Sequence, residues 1–162
     1  MKNLFLLRHA RAVSSSDGLR DFDRSLSDQG RKQAERVGKY LKEHSIGLDL
    51  VLSSSALRAR ETTELVLTEA QCMSEVRYDQ RIYEASAQQL LEVVSEIEED
   101  MNEVLLVGHN PGLEELLKRL TGRLESMGTG TLAKIALGGS EWTEAATEKG
   151  NLNWLFKSHV SG

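Results

Sequence analysis

The chain has 162 residues and a net charge of −5 at pH 7, with 40% hydrophobic and 28% charged residues. The length predicts one domain over residues 1–162, and the composition excludes a largely disordered chain. The acidic balance argues against a nucleic-acid-binding protein, which needs a basic face, and no apolar stretch approaches the ~20 residues of a membrane span.

Short apolar runs alternate with helical patterns, which favours a single α/β domain with a mostly parallel sheet. The run LFLL at 4–7 predicts the first strand, and the serine-rich, charged stretch 13–24 predicts a loop. Ser27 is suited to cap a helix that Gly47 ends. The apolar positions of that helix follow 3-4 spacing: Ala34, Val37, Gly38 and Leu41. LDLVLSS then predicts a second strand, and the next helix begins at about Ala56.

The second half of the chain continues the alternation. EVRYD predicts a short strand, and EVLLVG predicts a buried one. Between them, helical spacing joins four apolar residues: Leu90, Val94, Ile97 and Met101. HNPGLEELLKRLTG predicts a helix capped by Asn110, with Pro111 in its first turn and Gly122 as its stop. TLAKIAL predicts a strand and NLNWLFK an edge strand, whereas the order of the strands is left open.

Polar and charged side chains directly follow three of the predicted strands. Arg8 and His9 follow the first, and three serines at 53–55 follow the second, with Arg58 one helical turn later; His109 follows EVLLVG. Because the carboxyl ends of neighbouring parallel strands meet at one edge of a sheet, we expect these groups to lie together. Guanidinium and imidazole groups beside positive helix ends suit a phosphoryl group. The sequence therefore predicts a site for a phosphorylated substrate.

Arg58 gives a further indication of a bound anion. A cation in the first turn of a helix opposes the helix dipole by about 0.3–1 kcal/mol when it is exposed, and a bound anion would reverse that cost. The alternative is that Arg58 points into solvent, like Arg60. His9 or His109 taken alone is more often a core histidine than a catalyst. The combination at three strand ends is what favours the site.

Three stretches at these strand ends resemble the signatures of the histidine phosphatase superfamily, which contains phosphoglycerate mutases and many phosphatases: LLRHARA, SSALRARETTE and VLLVGHNPG. Ala10 replaces the usual glycine, and this replacement, the small size and the HNPG form resemble the SixA-type phosphohistidine phosphatases. DFDRSLSDQGRKQA, RIYEAS and MGTGTLAKIAL also resemble that subgroup. Ser55 departs from the pattern, because a proline often follows the serine of the second signature. The resemblance implies a single three-layer, phosphoglycerate mutase-like domain.

The resemblance also implies catalytic roles. His9 is the nucleophile, which forms a phosphohistidine that water later hydrolyses. Arg8, Arg58 and His109 hold the phosphoryl oxygens. The attacking nitrogen of His9 has to be unprotonated, and flanking cations help to keep the ring neutral.

Three further residues are weaker candidates. Ser54 and Ser53 are candidates for phosphate contact, and the alternative for one of them is that it only caps the following helix. Glu84, in RIYEAS, is the candidate general acid. No metal ion or other cofactor is expected.

The expected partner is a protein that carries phosphohistidine, with no nucleic acid and no membrane involved. The imidazole of phosphohistidine can leave already protonated, so it needs little acid catalysis. The chain also has no insertion large enough to form a lid over the site, which leaves room for a protein side chain to enter. The physiological substrate and the oligomeric state are left open.

Four alternatives compete with this interpretation. A metal-dependent hydrolase would use His9, Asp21, Asp23 and His109, but the paired-histidine spacing of a zinc site is absent and two arginines would repel a cation. A non-catalytic phosphate-binding module would have the same pocket. A small-molecule phosphomonoesterase of the superfamily would act on other esters. A phosphomutase would need large insertions, which this chain lacks.

The expected location is the cytoplasm. The single cysteine, Cys72, cannot form an internal disulfide, which favours a reducing compartment. The first apolar run is only four residues long and is followed by Arg8, which is not the pattern of a signal peptide.

Overall fold

The described part of the chain forms one six-stranded sheet with four α-helices. The computed structural model describes residues 1–16 and 18–159; Asp17 of the predicted loop and residues 160–162 of the predicted domain lie outside it. The strands are β1 (Asn3–Arg8), β2 (Leu50–Ser53), β3 (Glu75–Tyr78), β4 (Glu103–Gly108), β5 (Thr131–Ala136) and β6 (Asn151–Lys157). The α-helices are α1 (Asp28–Glu43), α2 (Leu57–Ala70), α3 (Ala87–Ser95) and α4 (Gly112–Thr121).

The strand order is β3-β2-β4-β1-β5-β6. The first four strands run parallel to one another, whereas β5 and β6 are antiparallel to their neighbours, so the predicted mostly parallel sheet is confirmed. The order places β2, β4 and β1 side by side, and these are the strands that the predicted site residues follow. Arg8 pairs with Gly108 and Ser53 pairs with Val107, so the three strands end at the same level.

Both faces of the sheet are covered, which explains the continuously apolar strands. Leu4 and Leu6 of β1 belong to a core that also contains residues of α3 and α4. Phe5 and Leu7 point to the opposite core, which is completed by α1 and α2. The predicted three-layer α/β architecture is therefore confirmed. No helix among the described residues is long and apolar enough to cross a membrane.

The first helix begins as predicted but ends early. The Ser27 hydroxyl accepts a hydrogen bond from the Gly30 N–H at 3.1 Å, which caps α1. The helix ends at Glu43 rather than at Gly47, and the left-handed residue that follows it is Ser45, with φ of 52°. Gly38 allows α1 to approach α2 closely, because a Cβ there would lie 2.5 Å from the Glu69 Cβ.

The third helix is shorter than its apolar spacing predicts. It ends at Ser95, so Ile97 and Met101 lie beyond it. Both still pack on the core, in two non-helical turns. The Met101 carbonyl accepts hydrogen bonds from the Lys2 ammonium (3.1 Å) and the Trp142 indole (2.8 Å), and these bonds hold the segment in place.

The fourth helix differs from the prediction at its start. Pro111, not Asn110, occupies the cap position. The Asn110 amide instead donates to the Glu114 carboxylate (2.9 Å) and the Met127 carbonyl (2.7 Å). Gly122 ends the helix with φ of 77°, as predicted.

Candidate active site

A cleft of about 320 Å³ lies at the carboxyl ends of β1 and β4. It gathers the charged groups that were predicted to meet there. Its lining comprises Arg8, His9, Arg11, Ala12, Arg24, Arg58, His109, Asn110 and Thr129. The described lining residues therefore include four arginines and no carboxylate, which makes the cleft suitable for an anion.

His9 presents an unprotonated nitrogen to this cleft. Its Nδ1 lies 2.7 Å from the Ala10 carbonyl oxygen, and since a carbonyl can only accept, Nδ1 carries the proton. The other nitrogen, Nε2, lies 3.4 Å from Arg58 Nε, which donates to it. Burial lowers the pKa of His9 to about 4, assisted by the Arg58 and Arg8 cations and opposed by the bond to Ala10. The ring is only 6% exposed and is neutral at pH 7.

His109 lies beside His9, with 5.0 Å between the ring centroids. Arg58 Nη2 is 3.4 Å from His109 Nδ1 and donates to it, so the proton of His109 is on Nε2. That nitrogen is 2.7 Å from the Ser54 hydroxyl, which fixes the ring. Burial, assisted by His9 and the Arg58 cation, lowers the pKa of His109 to about 3.

Arg58 is directed into the protein, not into solvent. It is 5% exposed although it lies in the first turn of α2. Its Nη1 donates to the Asp21 carbonyl at 2.7 Å, and its Nη2 donates to the Asp21 carboxylate at 3.0 Å. The negative charge that offsets this cation therefore comes from Asp21.

Arg8 is held at the end of β1 with unused hydrogen-bonding capacity. Its Nη1 donates to the Met127 carbonyl at 3.2 Å, whereas its buried Nε has no partner among the described residues. Burial lowers the pKa of Arg8, opposed by the Glu114 carboxylate. A buried N–H without a partner costs free energy, which a bound anion would recover.

Asp21, which contacts Arg58, is itself held by Tyr83, and the sequence patterns did not indicate this contact. The Tyr83 hydroxyl donates to the Asp21 carboxylate at 2.6 Å, and Arg24 Nε donates to it at 3.0 Å. The bond from Tyr83 and the Arg58 cation lower the pKa of Asp21 to about 2. The Tyr83 ring also lies edge-on to His109 at 5.4 Å. Both residues lie in stretches that resemble the family, DFDRSLSDQGRKQA and RIYEAS, but the pairing of these two distant segments is visible only in the fold.

The weaker candidates lie in different surroundings. Ser54 contacts His109, and its hydroxyl also accepts from the Ala56 N–H at 3.2 Å, near the start of α2. Ser53 is fully buried and bonds to the Ser54 carbonyl and the Thr63 hydroxyl. Glu84 is exposed, has φ of 55° and lies outside the cleft lining.

The donor set does not fit a metal ion. Asp21 is committed to Arg58, Arg24 and Tyr83, and Asp23 is paired with Arg20. Within residues 1–16 and 18–159, no three histidine, cysteine or acidic side chains group as a ligand set.

Comparisons with known proteins place this cleft in a family. The model of the histidine phosphatase superfamily (branch 1) matches residues 4–127. An uncharacterized chloroplastic protein of Arabidopsis thaliana is 30% identical over 169 residues, covering 99% of this chain and 78% of that protein.

Solved structures share the whole fold. SixA from Nakamurella multipartitia superposes with a TM-score of 0.85 at 27% identity, over 96% of this chain and 95% of that one. The protein histidine phosphatase SixA in complex with tungstate has a TM-score of 0.80 at 21% identity, over 96% and 97% of the two chains. The predicted phosphoglycerate mutase-like fold is confirmed. The cleft and these matches identify the chain as a phosphatase that belongs to the histidine phosphatase superfamily (branch 1).

Proposed function

We propose that this protein is a metal-independent phosphatase that dephosphorylates phosphohistidine on another protein, through a phosphohistidine formed on its own His9. One observation carries the proposal: the bond from His9 Nδ1 to the Ala10 carbonyl leaves Nε2 unprotonated inside the cleft. An imidazole nitrogen must be unprotonated to attack phosphorus. The pKa of about 4 keeps the His9 ring neutral at physiological pH.

The reaction has two transfers. In the first, His9 Nε2 forms a bond to phosphorus while the bond from phosphorus to the substrate nitrogen breaks. The substrate imidazole, protonated on its other nitrogen, takes that electron pair and leaves neutral. In the second, water attacks phosphorus, His9 Nε2 recovers the electron pair of the breaking bond, and the protons of the water stay on the released phosphate.

Arg8, Arg58 and His109 hold the transferring group in this proposal. Arg58 Nε is 3.4 Å from the attacking nitrogen, and Arg8 has a buried N–H without a partner in the described residues. Ser54 fixes the ring of His109. Fixed donors and cations around the phosphoryl oxygens offset the charge that develops in the transition state. This set supports catalysis without a metal ion.

The choice of substrate rests on the acid–base groups at the cleft. Its described lining contains no carboxylate, and Glu84 is exposed outside it. Asp21, with a pKa of about 2, holds no proton at neutral pH. An alkyl phosphate expels a strongly basic alkoxide and needs a good acid, whereas imidazole does not. These features support phosphohistidine and aryl phosphates over sugar phosphates.

A substrate panel tests this function: a phosphohistidine peptide, an aryl phosphate and a sugar phosphate, each with and without EDTA. We expect the phosphohistidine peptide and the aryl phosphate to be hydrolysed at rates that EDTA does not change, and the sugar phosphate to be hydrolysed far more slowly. In Glu84→Gln, the rate of phosphohistidine hydrolysis should change only modestly. Loss of activity in EDTA that a divalent ion restores contradicts metal independence. If a sugar phosphate is the best substrate and Glu84→Gln cripples its hydrolysis, the protein is a small-molecule phosphatase.

Rapid quenching with radiolabelled substrate tests the nucleophile. The wild type should give an acid-labile, base-stable phosphoenzyme, and His9→Ala should give none and lose turnover, with His44→Ala as the control outside the cleft. An acid-stable label, or near-normal turnover in His9→Ala, would falsify the assignment of His9 as the nucleophile.

A separate variant tests Arg58. Arg58→Ala should lower kcat by about 10²-fold, the scale of losing one preorganised hydrogen-bond donor.

A further inference from the structure

A second cavity adjoins the cleft. This side groove has a volume of about 230 Å³. It is lined by Gln33, by Gly128, Thr129 and Thr131 before and at the start of β5, and by residues 157–159, which are the last residue of β6 and the two that follow it. It shares Thr129 with the cleft. The side groove and the cleft are thus two parts of one continuous surface at the same edge of the sheet.

Hydrogen bonds connect the wall of the side groove to the nucleophile strand. Gln33 accepts from the Arg11 backbone N–H at 2.8 Å and donates to the Thr129 hydroxyl at 3.3 Å. The N–H of Gly130, at φ of 72°, donates to the carbonyls of Arg8 (3.1 Å) and His9 (3.2 Å). The Ser158 hydroxyl donates to the Gly130 carbonyl at 2.6 Å. The groove is therefore fixed relative to His9.

The charge at this surface is unbalanced in a chain whose net charge is −5. No carboxylate is among the described residues that line the cleft or the groove. Other arginines near the cleft mouth have acidic partners: Arg58 and Arg24 pair with Asp21, and Arg20 pairs with Asp23.

Two exposed cations at this surface have no acidic partner among the described residues. The Arg11 guanidinium donates to the neutral Gln29 side-chain oxygen, at 2.6 Å. The Lys157 side chain makes no hydrogen bond or ion pair with any residue that the structure describes. Gln33 lies between the two, since it bonds to the Arg11 backbone and lines the groove. Two cations without acidic partners beside a polar groove are complementary to a carboxylate.

We propose that the side groove is a subsite for an acidic side chain of the protein substrate, one or two residues from its phosphorylated histidine, and that Lys157 and Arg11 bind that carboxylate. The groove adjoins the cleft at Thr129, and an extended chain advances by about 3.3–3.6 Å per residue, so the groove is placed for a close sequence neighbour of the phosphorylated histidine. The inference rests on the proposed function, because it assumes a peptide substrate. It adds a preference for acidic sequence around the phosphorylated residue.

Peptide pairs test the preference. Phosphohistidine peptides with Asp or Glu beside the histidine are compared with Asn or Gln versions. We expect the wild type to show a KM about 5-fold lower for the acidic peptide, the upper range of one exposed ion pair, and the difference to shrink as salt rises. In Lys157→Gln and Arg11→Gln the ratio of the two KM values should fall towards one. Lys118→Gln, on the outer face of α4, should keep the wild-type ratio. An equal KM for both wild-type peptides, or an unchanged ratio in Lys157→Gln, overturns the proposal.

A second measurement separates this inference from the proposed function. Unphosphorylated acidic and neutral histidine peptides are tested as competitive inhibitors of aryl phosphate hydrolysis. The groove predicts a lower inhibition constant for the acidic peptide, and a loss of that difference in Lys157→Gln. If this holds while no phosphohistidine peptide is hydrolysed, the subsite stands and the proposed substrate fails. If phosphohistidine is hydrolysed and the inhibition constants are equal, the subsite fails alone.

Discussion

His9 combines burial with two nearby cations, and both lower its affinity for a proton. Because its pKa is lowered from 6.5 to about 4, the ring stays neutral through the range in which an exposed histidine becomes charged. We predict that histidine-selective NMR will show His9 titrating with a midpoint near 4, with the resonance assigned by its loss in His9→Gln. A midpoint near 6.5 would mean that the ring is half protonated at mildly acidic pH.

Asp21 accepts hydrogen bonds from Arg58 with both its backbone carbonyl and its carboxylate, so we expect it to position that guanidinium. Asp21→Asn should lower kcat about 10-fold, because a misplaced guanidinium no longer meets the developing charge. KM should stay equal or fall, because a negative charge beside the cleft is removed. Steady-state kinetics on an aryl phosphate checks both values. Asp23→Asn, whose carboxylate pairs with exposed Arg20, is the matched control. A kcat within twofold of wild type in Asp21→Asn contradicts a positioning role.

The central site residues are readable from the sequence because each lies at the end of an apolar strand or shortly after it. Arg8, His9 and His109 sit within two residues of a strand end, and Arg58 lies in the first turn of the following helix. Asp21 differs, because two of its partners are distant in sequence: Arg58 lies in α2, and Tyr83 lies in the segment before α3. Local patterns carry no information about such pairings.

Between elements, α1 and α2 approach each other closely at Gly38. A Cβ at this position would lie 2.5 Å from the Glu69 Cβ and 2.6 Å from the Val66 carbonyl oxygen, so α1 and α2 would have to separate. Gly38→Ala should destabilise the protein by about 1–3 kcal/mol despite the better helix propensity of alanine. Urea unfolding measures the loss. Gly47→Ala, where a Cβ meets nothing within 4 Å, should change stability little. Similar urea midpoints for Gly38→Ala and Gly47→Ala would show that α1 and α2 can separate at little cost.

Element types were predictable where burial imposed them. The strands β1 and β4 are apolar at consecutive positions because both faces are covered. The order of the strands was not predictable, since it depends on pairings between distant segments. The apolar spacing also predicted a third helix that is longer than α3. Ile97 and Met101 lie in turns after the helix, and these turns keep both side chains on the core without α-helical hydrogen bonding.

For the whole molecule, the two buried histidines make stability depend on pH. Unfolding returns both pKa values, about 4 and about 3, to near 6.5, so the unfolded chain binds more protons between about pH 6.5 and 4. Stability should therefore fall as the pH drops through that window, by up to ~1.4 kcal/mol per pH unit for each histidine. The stabilisation that comes from Asp21 is unchanged in that window, because it is lost only as the pH falls from 3.8 towards its folded pKa of about 2.

Urea unfolding between pH 7.5 and 4.5 measures this dependence. A variant carrying both His9→Gln and His109→Gln should show a much flatter profile than the wild type. If the free energy of unfolding changed equally with pH in the two proteins, groups other than His9 and His109 would be taking up the protons.

The antiparallel hairpin β5–β6 has a practical consequence for handling the protein. Lys157 pairs with Thr131, so β6 runs towards the cleft and finishes beside it, whereas β1 starts at the far edge, where Asn3 pairs with Glu103. Met1 at that edge is 86% exposed. A biotin on the Met1 amine would anchor the molecule to a sensor chip with its cleft facing the solution. An anchor joined after His159 would emerge next to the side groove and crowd an incoming protein.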